Sequence, residues 1–174
     1  FIRSAFAKYV PEKVVKQLLQ NPELLRLGGE ERVVTVLFSD IAGFTTISEG
    51  MSPTDLSRLL NEYLTEMTNI VLDEGGIIDK YEGDARMAEF GTPLPLDDHA
   101  DKAVRCGLRM LKRLAEMRQA WRKKGLPELR CRIGINTGSM VVGNMGSNQV
   151  FDYTVLGDAV NLASRLEGVN KAYG

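Results

Sequence analysis

The sequence predicts an α+β domain: one antiparallel sheet with helices on one face. Three observations carry this. VVTVLFSD (33–40) is an apolar, β-branched run typical of a buried strand. Two long segments, one behind Ser52 and one behind Asp97-Asp98, repeat apolar residues at helical spacing. Between them, DKYEGDARMAEF (79–90) reads as a β-hairpin. With a strand after the second helix, the order is β-α-β-β-α-β, the ferredoxin-like pattern, followed by extra C-terminal strands and a helix.

Residues 1–30 form a lead-in. Pro11 suits a first helical turn, Val14, Val15, Leu18 and Leu19 make one apolar stripe, and Gly28-Gly29 ends the segment. This is either a helix packed on the domain or a connector from an upstream module. After the strand at 33–40 comes the loop IAGFTTISEG. Ser52-Pro-Thr-Asp55 is a capping box with proline at the first helical position. The helix behind it carries Leu56, Leu59, Leu60, Tyr63, Leu64, Met67, Ile70 and Val71 on one side, and Gly75-Gly76 stops it. In the hairpin, Gly83-Asp84 is the turn, a type II′ signal. Taken as a two-residue turn, it opposes 82 to 85, 80 to 87 and 78 to 89. Ile78, Lys80, Glu82, Met87 and Glu89 then share a face, with Tyr81, Arg86, Ala88 and Phe90 on the other.

The second helix presents Ala100, Ala103, Val104, Leu108, Leu111 and Leu114 as its apolar face. Its basic end, Arg122-Lys-Lys124, suits a solvated helix C-terminus. RCRIGINTG (130–138), MVVGNMG (140–146) and FDYTVLGD (151–158) read as strands, and AVNLASRLEGV (159–169) as the last helix.

The chain has 174 residues and a net charge of -1, enough for a core and too balanced for general attraction to nucleic acid or anionic membrane. Cys106 and Cys131 form no metal or redox spacing and suit buried thiols in a reducing compartment. The single histidine, His99, excludes a two-histidine scheme. No apolar run approaches membrane-spanning length. The chain starts without Met and stops abruptly, as a piece of a longer protein would, so an anchor elsewhere is compatible with it.

Asp40 ends a buried strand and precedes a glycine-containing loop, a usual way to hold Mg²⁺ and polyphosphate together. A turn-capping aspartate looks the same. Asp84 sits at the hairpin tip, where aspartate is ordinary turn chemistry. In a ferredoxin-like sheet the hairpin pairs beside the first strand, so the two carboxylates can converge on one or two cations. Asn161 and Arg165 are four apart on the last helix and share a face. They suit either a phosphate clamp or an arginine reaching past apolar neighbours to water.

FSDIAGFT (38–45), LNEYL (60–64), IDKYEGDARMAEFG (78–91), IGINTGSMVVGNMGS (133–147) and DYTVLGDAVNLASRLE (152–167) resemble the class III nucleotidyl cyclase catalytic domain, in the right order and from about residue 32 to the end. FAKYVPEKVVKQLL also looks like the segment before bacterial cyclase domains in multidomain sensors. The resemblance implies a connector at 1–30 and a cyclase domain at 31–174. It implies that Asp40 and Asp84, with the carbonyl of Ile41, hold two Mg²⁺ or Mn²⁺ ions, and that the amides of Ile41, Ala42, Gly43, Phe44 and Thr45 hold the triphosphate. Lys80 and Thr154 match the purine-recognition positions. Asn161 and Arg165 match the pair that orients the ribose and stabilises the transition state. The implied reaction is two-metal, in-line attack of the ribose 3′-oxygen of ATP on the α-phosphorus. Lys80 is a donor only, which suits adenine, whereas cyclases acting on GTP typically carry Glu there. Thr154, where many adenylyl cyclases have Asp, resembles the bacterial and soluble-type subclass. The implied partner is a second copy or a related cyclase domain, because sites in this family lie between two chains. An upstream sensor and a cytoplasmic location complete the expectation.

Two departures stand out. The family usually has apolar residues where this chain has Glu82, Arg86 and Glu89. On the register above, the glutamates join Lys80 on the side that meets nucleotide or a partner chain, where they weaken dimerisation or pair with Lys80 until a partner or ligand arrives; chance variation on a solvated edge is the alternative. The family domain also continues past NKAYG into strands that carry a phosphate-binding lysine, so the resemblance implies a C-terminally truncated domain. A guanylyl cyclase is the alternative that Lys80 disfavours. A non-catalytic module of the same fold is disfavoured by the complete Asp40/Asp84/Asn161/Arg165 set, and a diguanylate cyclase by YEGDAR in place of GG(D/E)EF.

Overall fold

A computed structural model describes residues 10–22 and 26–173. The beginning of FAKYVPEKVVKQLL lies outside the described residues. The elements are α1 (Glu12–Gln20), β1 (Gly28–Ile41), α2 (Phe44–Glu49), α3 (Pro53–Asp73), β2 (Ile77–Glu82), β3 (Ala85–Phe90), α4 (His99–Lys123), β4 (Cys131–Gly146), β5 (Phe151–Leu156) and α5 (Asp158–Tyr173). The strands form one sheet in the order β2-β3-β1-β4-β5, with every neighbouring pair antiparallel. The first four strands have the ferredoxin-like order, and β5 is the extra strand.

Helices α3 and α4 share one face. Leu59, Tyr63, Met67 and Val71 of α3 and Met110, Leu114 and Trp121 of α4 pack there with Leu37, Ala88 and Phe90 of the sheet. Ser52 caps α3 by accepting the Asp55 N–H at 3.2 Å, as the capping box requires. The opposite face holds a second apolar cluster, where Val34, Val36, Met87, Met140, Val142 and Val155 meet Val160 and Ala163 of α5. The last helix therefore covers the face that α3 and α4 leave open. In the lead-in, Val14 and Val15 of α1 are buried, and Lys13 Nζ donates to the Gly75 carbonyl at 2.5 Å. The described part of the lead-in thus packs on the domain.

Four expectations need correction. β1 begins at Gly28, ahead of the apolar run, because residues 28–33 pair with the far half of β4. The segments 130–138 and 140–146 form one strand, since β1 pairs continuously from Cys131 to Asn144 and leaves no room for a turn at Ser139. The apolar face of α4 is turned: Ala103, Cys106, Met110, Leu114, Met117 and Trp121 are buried, while Val104, Leu108 and Leu111 are 48–64% exposed. Trp121 and the close approach of Gly107 to Ile135 fix this phase. In the hairpin, 82 opposes 85 and 80 opposes 87, but a bulge at Asp79 sets Ile77, not Ile78, opposite Glu89. The turn is as expected, with Gly83 at φ +65°.

Candidate active site

Two groups of predicted residues assemble within the chain. At the C-terminal end of β1, Asp40 and the hairpin-tip Asp84 come together, because β3 pairs with β1 up to Ser39 opposite Arg86. Asp84 Oδ2 accepts the Ile41 N–H at 3.1 Å. Its carboxyl is held above the ordinary range, first by burial and then by hydrogen bonding with, and the charge of, Asp40. A carboxyl whose proton affinity is raised by burial and by a neighbouring aspartate suits a site completed by a cation.

Arg132, at the start of β4 and in register with Asp40, already supplies one positive charge. Its Nη2 donates to Asp40 Oδ2 at 2.8 Å, and its Nε forms an ion pair with Glu167 of α5 at 3.1 Å. The Glu167 carboxyl is raised by burial and by the Asp40 charge, against the pull of Arg132. No three His, Cys, Asp or Glu side chains gather into a metal cage among the described residues. A hard cation at Asp40 and Asp84 would take its other ligands from backbone carbonyls, water and phosphate oxygens, the usual practice for Mg²⁺. The donor set fits such an ion.

The phosphate-loop expectation narrows. The Ile41 N–H donates to Asp84, and the Ala42 N–H donates to the Arg130 carbonyl at 2.8 Å. Neither amide is available to a triphosphate in this arrangement. Gly43, at φ +70°, turns the chain into α2, so Gly43, Phe44 and Thr45 carry the amides a first helical turn leaves unpaired.

The second group is Lys80 and Thr154. β2 and β5 lie at opposite edges of the sheet in hydrogen-bond order, yet Thr154 Oγ1 donates to Asp79 Oδ2 at 2.5 Å. The sheet therefore curls until its edges meet over the α5 face. Lys80 Nζ lies 3.8 Å from the other Asp79 oxygen, so Asp79 joins both purine-position residues. Beside them Glu89 is fully buried, not presented at the surface, while Glu82 is exposed. The expectation that Glu89 meets a partner chain is overturned. The bulge at Asp79 turns that carboxyl inward to face it.

Asn161 and Arg165 are exposed on α5, whose buried side carries Val160 and Ala163. Glu167, which reaches toward Asp40 through Arg132, lies about 200° around the helix from Arg165. Within one chain the Asn/Arg pair and the two aspartates face different directions. Residues 29–173 match the adenylate and guanylate cyclase catalytic domain. The chain belongs to that family. It is 41% identical over 169 residues to adenylate cyclase 1 of Rhizobium meliloti (strain 1021), covering 97% of this chain and 25% of that protein. The cyclase chain thus spans about a quarter of that relative's length. Two solved structures superpose on it. The adenylyl cyclase CyaB from P. aeruginosa is 46% identical with a TM-score of 0.78, covering 82% of this chain and 74% of that one. A guanylyl cyclase crystal structure is 42% identical with a TM-score of 0.77, covering 82% and 72%. Overall likeness to this family does not choose the purine; individual side chains must.

Arg132, Glu167, Asp79 and Glu89 were not singled out as site residues from sequence. Asp79 had a signal in its position beside Lys80. The others depend on register and on a bulge.

Proposed function

We propose that this cyclase domain converts ATP to 3′,5′-cyclic AMP and pyrophosphate, at sites shared between two copies of the chain or between it and a related cyclase domain. The observation that carries the reading is the meeting of Asp40 and Asp84 over the Ile41 amide. When bound there, divalent ions supply acidification of the ribose 3′-hydroxyl and charge neutralisation of the leaving pyrophosphate. Asp40, released from Arg132, and Asp84 hold those ions. Gly43, Phe44 and Thr45 meet the phosphates. Arg165 of the other copy neutralises charge gathering on the α-phosphate, a role typically worth about 2.7–4 kcal/mol of barrier, and Asn161 orients the ribose.

Sharing is supported by the opposed directions of the two halves within one chain. Leu156, Leu162, Leu166 and Val169 are also exposed around Asn161 and Arg165, as surface awaiting a partner would be. ATP is favoured because Lys80 donates and adenine's ring nitrogens accept. No described helix is long and apolar enough to cross a membrane. ATP as substrate and two free thiols fit a cytoplasmic catalytic domain downstream of a sensor.

The test is cyclic nucleotide output from ATP and from GTP with Mg²⁺ or Mn²⁺, over a series of protein concentrations. The expected result is cyclic AMP in preference to cyclic GMP, with specific activity rising as protein is concentrated. Preference for GTP would give the guanylyl cyclase reading. No product from either, in the full-length protein, would leave a non-catalytic module.

A further inference from the structure

Thr154, Asp79 and Glu89 make a chain of contacts that the proposed reaction does not yet use. Asp79 has a side chain 2% exposed, Glu89 is 0% exposed and Thr154 6%. Thr154 has one proton to give, and it gives it to Asp79. Neither oxygen of Glu89 meets an N–H or hydroxyl donor. What lies beside it is the carboxyl of Asp79.

Two carboxyls in contact in a dry place do not both ionise, and one proton between them turns repulsion into a hydrogen bond. Glu89 is the one that keeps it. Burial and the charge of Asp79 drive Glu89 well above the ordinary range, whereas Asp79, also raised by burial, is eased by Thr154, Lys80 and Glu89 itself. Asp79 then stays ionised and accepts from both neighbours.

We propose that Asp79 and Glu89 are positioning residues for purine selection: the buried pair locks the Thr154 hydroxyl as a hydrogen-bond acceptor toward the base. This rests on the reading that Lys80 and Thr154 face the purine. The adenine amino group donates and its ring nitrogen accepts, so it matches a fixed acceptor beside an ammonium. Guanine presents the reverse pattern, a carbonyl toward Thr154 and an N–H toward Lys80, and both contacts are mismatched. A hydroxyl free to rotate discriminates weakly. A hydroxyl whose proton is committed to Asp79 does not have that freedom. Without the proton from Glu89, Asp79 takes one from solvent and donates it in a hydrogen bond to the Thr154 oxygen, and the Thr154 O–H is then free to donate to the guanine carbonyl.

The experiment compares wild type, Glu89→Gln and Glu89→Val in the intact protein by the ratio of kcat/KM for ATP to that for GTP. The Gln amide replaces the lost proton donor, so E89Q keeps the ATP preference. E89V loses it by about tenfold, one hydrogen bond reversed. Equal ratios in all three proteins, or equal loss in both variants, would overturn the proposal. Should E89V not fold, infrared spectroscopy decides: wild type at neutral pH shows the C=O stretch of a buried protonated carboxyl, and E89Q does not. Absence of that band from wild type overturns the proposal. A wild type that shows the band and yet prefers GTP overturns the base-facing reading of Lys80 and Thr154, and this inference with it.

Discussion

The guanidinium of Arg86 lies in the core between β3 and α3, 1% exposed. Its Nη2 donates to the Tyr63 hydroxyl at 2.9 Å, and its carbon sits 5.0 Å from that ring's centre. Nε and Nη1 meet no acceptor, and no carboxylate partner is present among the described residues. A buried charge without a counter-ion is costly, and replacing such ions by apolar side chains of similar volume is often neutral or stabilising. Arg86→Met is therefore expected to stabilise the domain by about 1 kcal/mol or more, read as a rise in Tm of roughly 2–4 °C per kcal/mol. A lower Tm would show that the contact with Tyr63 outweighs the burial of the charge. At this scale the sequence was legible where chemistry follows from local position. Asp40 at a strand end and Asp84 in a two-residue turn could be read directly. Arg86, Glu89 and Arg132 could not, because a charge inside a strand looks like a solvated edge until the cross-strand neighbours are known.

At the scale of elements, the order of strands and helices followed from periodicity and caps, while phase and continuity did not. Gly138-Ser139 looks like a turn, yet β1 runs past it in unbroken register. Val104, Leu108 and Leu111 are as apolar as the stripe that is buried, and only Trp121 and the glycine contact at 107 choose between them. Glycine at 134 sets the seating of α5. A Cβ there would lie 2.2 Å from the Ala163 carbonyl oxygen and 2.2 Å from the Glu167 nitrogen, both backbone atoms that cannot swing aside. Gly134→Ala must push α5 off β4, carrying Asn161, Arg165 and Glu167 with it. The expected cost is about 1–3 kcal/mol of stability, together with a fall in ATP turnover larger than the stability loss explains. An unchanged Tm would mean that α5 is not seated on β4 as described.

At the scale of the whole molecule, the arrangement of site residues fits the proposal that two copies share their sites. Asp40 and Asp84 meet at one end of the sheet, Lys80 and Thr154 gather where its curled edges touch, and Asn161 and Arg165 look outward from α5. Sequence spacing grouped these residues into pairs but carried no direction, so the sharing of sites came only from family resemblance. The proposal of shared sites has a physical support in the chain: Arg165 is exposed on α5, about 200° around the helix from Glu167, which reaches toward Asp40 through Arg132. The most direct test mixes two variants, Asp40→Asn and Arg165→Ala, each defective alone in turning ATP into cyclic AMP. In a mixed dimer one site takes its aspartates from the Arg165 variant and its arginine from the Asp40 variant, and is intact. Equal mixing makes half the dimers mixed, each with one of its two sites whole. The account predicts recovery to about a quarter of wild-type activity. Activity that stays at the level of the separate variants, in a mixture shown to form mixed dimers, would contradict it.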